Sequence, residues 1–145
     1  MIRILCVGKI KEKYLKDLIM DYENRINKYH KLEIIEVKDN IDITKETSEL
    51  MKYINTKHYN IALCINGKVY DSINFSNHID KIFNINSTIT FIIGGSNGLE
   101  DCIIEKCNEK ISFSTFTFPH GFFRGILLEQ IYRAFKINNN ESYHK

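Results

Sequence analysis

The chain has 145 residues, 43% of them hydrophobic and 26% charged. That length buries one core without disulfide or metal staples, and the composition excludes a disordered chain. The net charge of +2 is too small to mark a nucleic-acid binder by itself.

Ile2–Val7 is a mostly apolar run closed by Gly8, the pattern of a buried parallel strand. Over residues 11 to about 29, Tyr14, Leu15, Leu18, Ile19, Tyr22 and Ile26 recur at spacings of three and four, which predicts an amphipathic helix. Leu32–Val37 alternates with β-branched residues and predicts a second strand. Residues 44 to about 55 predict a weaker helix, with Leu50, Met51 and Ile54 as its apolar side and Thr44 as its N-cap. Residues 59–65 predict a third strand, stopped by Asn66-Gly67-Lys68. A short helix over Ser72–Phe83 follows, then a strand over 88–93 that runs into Gly94-Gly95-Ser96-Asn97-Gly98. Residues 99 to about 108 predict a helix and 110–113 a short fifth strand. Pro119 opens a long last helix to about residue 137, proline being suited to a helix's first turn. This alternation predicts one α/β domain over residues 1–145, with a mostly parallel five- to six-stranded sheet and helices on both faces.

Lysines and arginines gather at Lys9, Lys11, Lys13 and Lys16, at Arg25, Lys28 and Lys31, and at Arg124, Arg133, Lys136 and Lys145. Such runs read first as solvated helix faces. Cys6, Cys64, Cys102 and Cys107 form no C-x-x-C pair and have no His at zinc spacing, so reduced structural thiols and no metal are expected. The opening apolar stretch is too short for a signal peptide or a membrane span. A soluble, cytoplasmic protein with no membrane partner is the expectation.

Ligands of open parallel sheets bind beyond the carboxyl ends of the strands. Three loops there have unusual composition. The first is Leu63-Cys64-Ile65-Asn66-Gly67-Lys68. The second, residues 94–98, has three glycines in five positions, which lets backbone amides approach a ligand but reads equally as a tight turn. It is neither G-x-G-x-x-G nor a P-loop, so a phosphate cradle is disfavoured. The third alternates Ser or Thr with Phe from Ser112 to Phe118 and ends in Pro119-His120, a ribbon suited to an adenine ring.

These segments taken in order carry a resemblance. Val7-Gly8-Lys9-Ile10-Lys11-Glu12-Lys13-Tyr14, Phe91-Ile92-Ile93-Gly94-Gly95-Ser96-Asn97-Gly98, Ser112-Phe113-Ser114, Thr117-Phe118-Pro119-His120, Arg124, Glu129-Gln130-Ile131-Tyr132-Arg133-Ala134 and Tyr143-His144-Lys145 together resemble the ribosomal RNA large-subunit methyltransferase H family. Members of that family are SPOUT-class enzymes that methylate N3 of a pseudouridine in large-subunit ribosomal RNA. The likeness spans nearly the whole chain. Residues 39–57 form a shorter segment than the family's, and Gly121 and Gly125 depart from it in the last helix.

The resemblance implies a C-terminal trefoil knot, which topology rules alone would exclude, and S-adenosylmethionine as cofactor. It implies donor contacts from Leu63 and Gly94, the latter because a side chain there would enter the methionine's space. Phe113, Ser114, Thr115, Phe116, Thr117 and Phe118 would wrap the adenine. Methyl transfer needs in-line alignment, exclusion of water and removal of the acceptor's imide proton. Candidates for that chemistry are Arg124, to hold the developing anion, His144, as base, and Tyr143 and His120. The plain alternatives are that His120 caps the last helix and that residues 143–145 fray after a flexible Asn138-Asn139-Asn140.

The implied partners are a second copy, whose tail completes the site, and large-subunit ribosomal RNA within the assembled ribosome. Phe122, Phe123, Ile126, Leu127, Ile131 and Phe135 give the last helix more apolar residues than one face needs, which suits a partner. Two other functions compete. A Rossmann-type nucleotide-using enzyme lacks its glycine fingerprint here, and a non-catalytic ribosome-binding protein of the same fold would not bind the donor.

Overall fold

Strand β1 (Ile2–Val7) is buried along its whole length, and its alternate residues serve two different cores. The computed structural model describes residues 1–145. After β1 come α1 (Lys13–Ile26), β2 (Leu32–Val37), α2 (Ile43–Met51), β3 (Tyr59–Val69), α3 (Ser72–Phe83), β4 (Ile89–Ile93), α4 (Asp101–Ile104), β5 (Glu109–Ser112) and α5 (His120–Asn138). The sheet has five strands in the order β2-β1-β4-β3-β5, and every pairing is parallel.

The crossovers explain the layers. Each step along the chain reverses direction across the sheet, and with one handedness kept throughout, successive helices must fall on opposite faces. Ile2, Ile4, Cys6, Ile89, Phe91 and Ile93 accordingly join α1, α3 and α5 in the larger core. Leu5, Val7 and Ile92 point the other way, to Leu50 of α2 and Ile103 of α4. The period of two along each strand divides one apolar run between both cores.

Several local expectations are corrected. The N-cap of α2 is Asp42 rather than Thr44: its Oδ1 accepts the Thr44 amide at 2.9 Å and the Thr44 hydroxyl at 2.6 Å. Strand β3 does not stop at Asn66-Gly67-Lys68. It bulges after Leu63 and pairs again with β5 at Lys68 and Val69. Gly67 permits this, since a Cβ there would lie 2.5 Å from the Ile111 carbonyl carbon. Helix α4 ends after one turn because the chain must leave it to join β3, with the Asn108 amide donating to Asn60 O at 2.8 Å.

Helix α5 also differs. Pro119 occupies its N-cap position, and His120 is its first helical residue, not its cap. Asn138-Asn139-Asn140 is an ordered end rather than a flexible link. Asn140 has φ 55°, its amide donates to Ile137 O, and the Glu141 amide donates to Lys136 O at 2.9 Å, which is a Schellman cap. Most of the helix's apolar surplus is used within the chain: Leu127, Leu128, Ile131 and Phe135 are buried, while Phe122 stays 46% exposed. Gly121 and Gly125, one turn apart, let α1 approach, since their Cβ positions meet Ile10 and Leu15 and, at 2.8 Å, Leu18. No helix is long and apolar enough to cross a membrane.

Candidate active site

Three segments, the bulge within β3 and the loops after β4 and β5, come together around one cavity of about 550 Å³. The β3 bulge contributes Leu63, Cys64, Ile65 and Asn66. The glycine loop contributes Gly94, Gly95, Ser96 and Gly98, and the ribbon contributes Phe113, Ser114, Phe116, Thr117 and Phe118. His120 and Phe123, three apart and so on one side of α5, close the wall. Thr115 is not part of it. Asp101 and Ile104 of α4 and Leu99 also line it, and nothing in the sequence marked them, because an acidic residue opening a helix reads as a dipole partner.

The glycine loop is tightly closed. A Cβ on Gly94 would begin 2.5 Å from both C and O of Gly98, and the Gly98 amide donates to Gly95 O at 3.0 Å. Gly94 is therefore required by the loop's own closure. Gly98 has φ +73°, a left-handed conformation, and a Cβ there would meet nothing within 4 Å.

The ribbon is fixed at two of its three aromatic rings. Phe113 packs edge-on against Phe75 and Phe123 with centroids 5.7 and 5.3 Å apart, and Phe118 stacks on Phe123 at 6.1 Å. Between them the Phe116 amide donates to Ser114 Oγ at 3.0 Å, and the Phe116 ring stays 78% exposed. The Cys64 thiol in the wall is held above its ordinary pKa by burial, with Lys110 opposing.

Of the residues considered for proton chemistry, only His120 lines the cavity. Its Nε2 is 3.5 Å from the Cβ position of Gly8, which has φ +93° at the end of β1. Arg124, one turn along, is 1% exposed and does not line the cavity. Its Nη1 donates to Glu36 Oε2 at 2.6 Å and its Nη2 to Gly8 O at 3.1 Å, while Nε has no partner. Glu36 also accepts the Ile10 amide at 3.3 Å. Sequence reading missed Glu36, whose place at the end of an edge strand looks like an ordinary solvent-facing position.

Tyr143 and His144 lie elsewhere. The Tyr143 hydroxyl donates to Glu129 Oε1 at 3.0 Å and is 3.2 Å from the Tyr22 hydroxyl; its ring meets Tyr132 edge-on. Burial, first, and these two neighbours hold the Tyr143 phenol well above its ordinary pKa. His144 Nδ1 is 3.1 Å from Arg133 Nη1. Arg133 is about 20 Å along the α5 axis from His120, so the tail does not reach the cavity of its own chain.

Comparisons with known proteins agree along the whole chain. Residues 1–144 match the family model described as "Predicted SPOUT methyltransferase". The sequence is 46% identical over 153 residues to the ribosomal RNA large subunit methyltransferase H of Fusobacterium nucleatum subsp. nucleatum, with 99% of each chain covered. It is 42% identical over 157 residues to the protein of the same name from Clostridium acetobutylicum, again with 99% of each covered. The fold is similar to the crystal structure of a probable methyltransferase from Bordetella pertussis Tohama I, with a TM-score of 0.55 over 92% of this chain and 93% of that one. At 10% identity that likeness concerns the fold alone. The chain belongs to the SPOUT methyltransferase family, among the ribosomal RNA large subunit methyltransferase H proteins.

Proposed function

We propose that the protein transfers the methyl group of S-adenosylmethionine to large-subunit ribosomal RNA, at N3 of a pseudouridine, and works in the cytoplasm as a homodimer on the assembled ribosome. The observation that carries this is the gathering of three loops, distant in sequence, around one cavity in a chain of this family. The wall suits such a donor. It joins Phe113 and Phe118 with main-chain groups of two glycine-bearing loops, and open space at the Gly98 Cβ position leaves room beside the backbone.

S-adenosylmethionine supplies a methyl group on a positively charged sulfur. Leu63, Gly94 and the ribbon from Phe113 to Phe118 hold it, with Thr115 acting through the loop's shape. His120 stands at the cavity edge where an acceptor base enters. Arg124 acts as a positioning residue here, since its two terminal nitrogens are engaged by Glu36 and Gly8 and so fix the turn that faces His120. Tyr143 and His144 serve the cavity of the partner copy: their distance from their own cavity leaves that route open, and the exposed Phe116 and Phe122 are available to a partner's surface. His144 removes the acceptor's imide proton.

Calorimetry with S-adenosylmethionine tests the donor assignment. Saturable binding with one donor per chain is expected. Binding of ribosomes without any affinity for the donor would favour a non-catalytic RNA-binding protein of the same fold.

A further inference from the structure

Directly behind the glycine loop lies a carboxylate without a role so far. Glu46, in the first turn of α2, is 3% exposed. Its Oε2 accepts the Asn40 amide at 2.9 Å, while its Oε1 is sealed from solvent with no hydrogen-bond partner. The N-terminus of α2 favours negative charge at that place. A buried acceptor left empty is costly, and such groups persist where the charge serves something.

Both oxygens point at the loop. A Gly95 side chain would begin 3.3 Å from Oε2 and 3.4 Å from Oε1, with Val7 Cγ1 at 3.0 Å. Gly95 lines the cavity and Glu46 does not. One glycine's thickness therefore separates a buried carboxylate with one unpartnered oxygen from the cavity. The φ of Gly95 is not left-handed, so what this glycine contributes is its missing side chain.

We propose that Glu46 is a specificity-determining residue whose charge acts across Gly95 on a sulfonium in the cavity, favouring the cationic donor over the neutral thioether product. The proposal rests on the donor assignment above. Donor and product differ by one methyl group and one positive charge at sulfur. Packing against the adenosine that the two share treats them alike. A nearby buried charge does not, because little solvent screens it. Donor is retained and spent product leaves.

The test is calorimetry on the intact protein with three ligands: S-adenosylmethionine, S-adenosylhomocysteine, and sinefungin, whose amine carries positive charge at the sulfonium's place. In Glu46→Gln, affinity for the two cations should fall on the order of tenfold, and affinity for the neutral product less than twofold. Equal losses for all three ligands would show that Glu46 only builds the loop, and would overturn the proposal, as would no loss at all. A wild-type chain that binds none of them would instead overturn the donor assignment. Should Glu46→Gln not fold, Glu46→Asp keeps the charge but draws it back from Gly95 by one methylene. The preference for cations over the neutral product must fall there too, and an unchanged ratio would sink the proposal.

Discussion

Arg124 of α5 and Glu36 of β2 meet at 2.6 Å, 88 residues apart in sequence, and join the helix that closes the cavity to the far edge of the sheet. The two partners are unequally buried, with side-chain exposures of 2% and 32%. That asymmetry decides what each substitution does. Glu36→Ala leaves a guanidinium uncompensated in the core and should cost about 3 kcal/mol or more. Arg124→Leu leaves a carboxylate that water can reach, and should cost about 1–2 kcal/mol. Urea denaturation of both variants measures the difference, and a larger loss in Arg124→Leu would contradict it.

The glycine loop yields a ranking. Gly94→Ala drives a methyl group against the Gly98 backbone, which cannot swing aside as a side chain does. Gly98→Ala meets no atom and carries only the strain of φ +73°, about 1–2 kcal/mol. Gly94→Ala should therefore lose more than about tenfold in donor affinity, and Gly98→Ala clearly less, while both keep the folded circular dichroism spectrum. Donor titrations that reverse the order would mean the loop does not shape the site.

Deleting residues 143–145 separates donor binding from transfer. The donor loops are untouched, so donor affinity should stay within about twofold of the full chain. The melting temperature should drop by a few degrees, because Tyr143 bridges Glu129 and Tyr22 and so ties α5 to α1. Methylation of ribosomes should fall by about 100-fold or more. In His144→Ala, a defect that shrinks as pH rises supports a base, since hydroxide then takes over proton removal, whereas a pH-independent defect indicates positioning. Full activity of the deletion would return proton removal to His120.

The fold was legible because most elements are long enough to show their period, the four-residue α4 and β5 being the exceptions. The alternation of strands and helices, and the two-sided burial of the strand over Ile2–Val7, followed from apolar spacing alone. Features set by one backbone approaching another were not legible. Gly67 reads as a turn until β5 lies against it, and Asn138-Asn139-Asn140 reads as a polar link until its amides find the carbonyls of the last turn. The cavity's loops could be named because they follow strands and are rich in Gly, Ser, Thr and Phe. Glu36 and Glu46 could not, because a carboxylate on an edge strand or a weak helix is ordinarily solvated, and only tertiary packing makes one an ion-pair partner and the other a buried charge.

The most direct measurement of the central claim is mass spectrometry of ribosomal RNA after the purified protein acts on ribosomes from cells lacking this gene, with isotopically labelled S-adenosylmethionine. The proposed function predicts one labelled methyl group on a single pseudouridine of the large-subunit RNA, and much less label when Gly94→Ala protein replaces the wild type at limiting donor. Donor binding without label in the RNA, or label spread over many nucleotides, would contradict it.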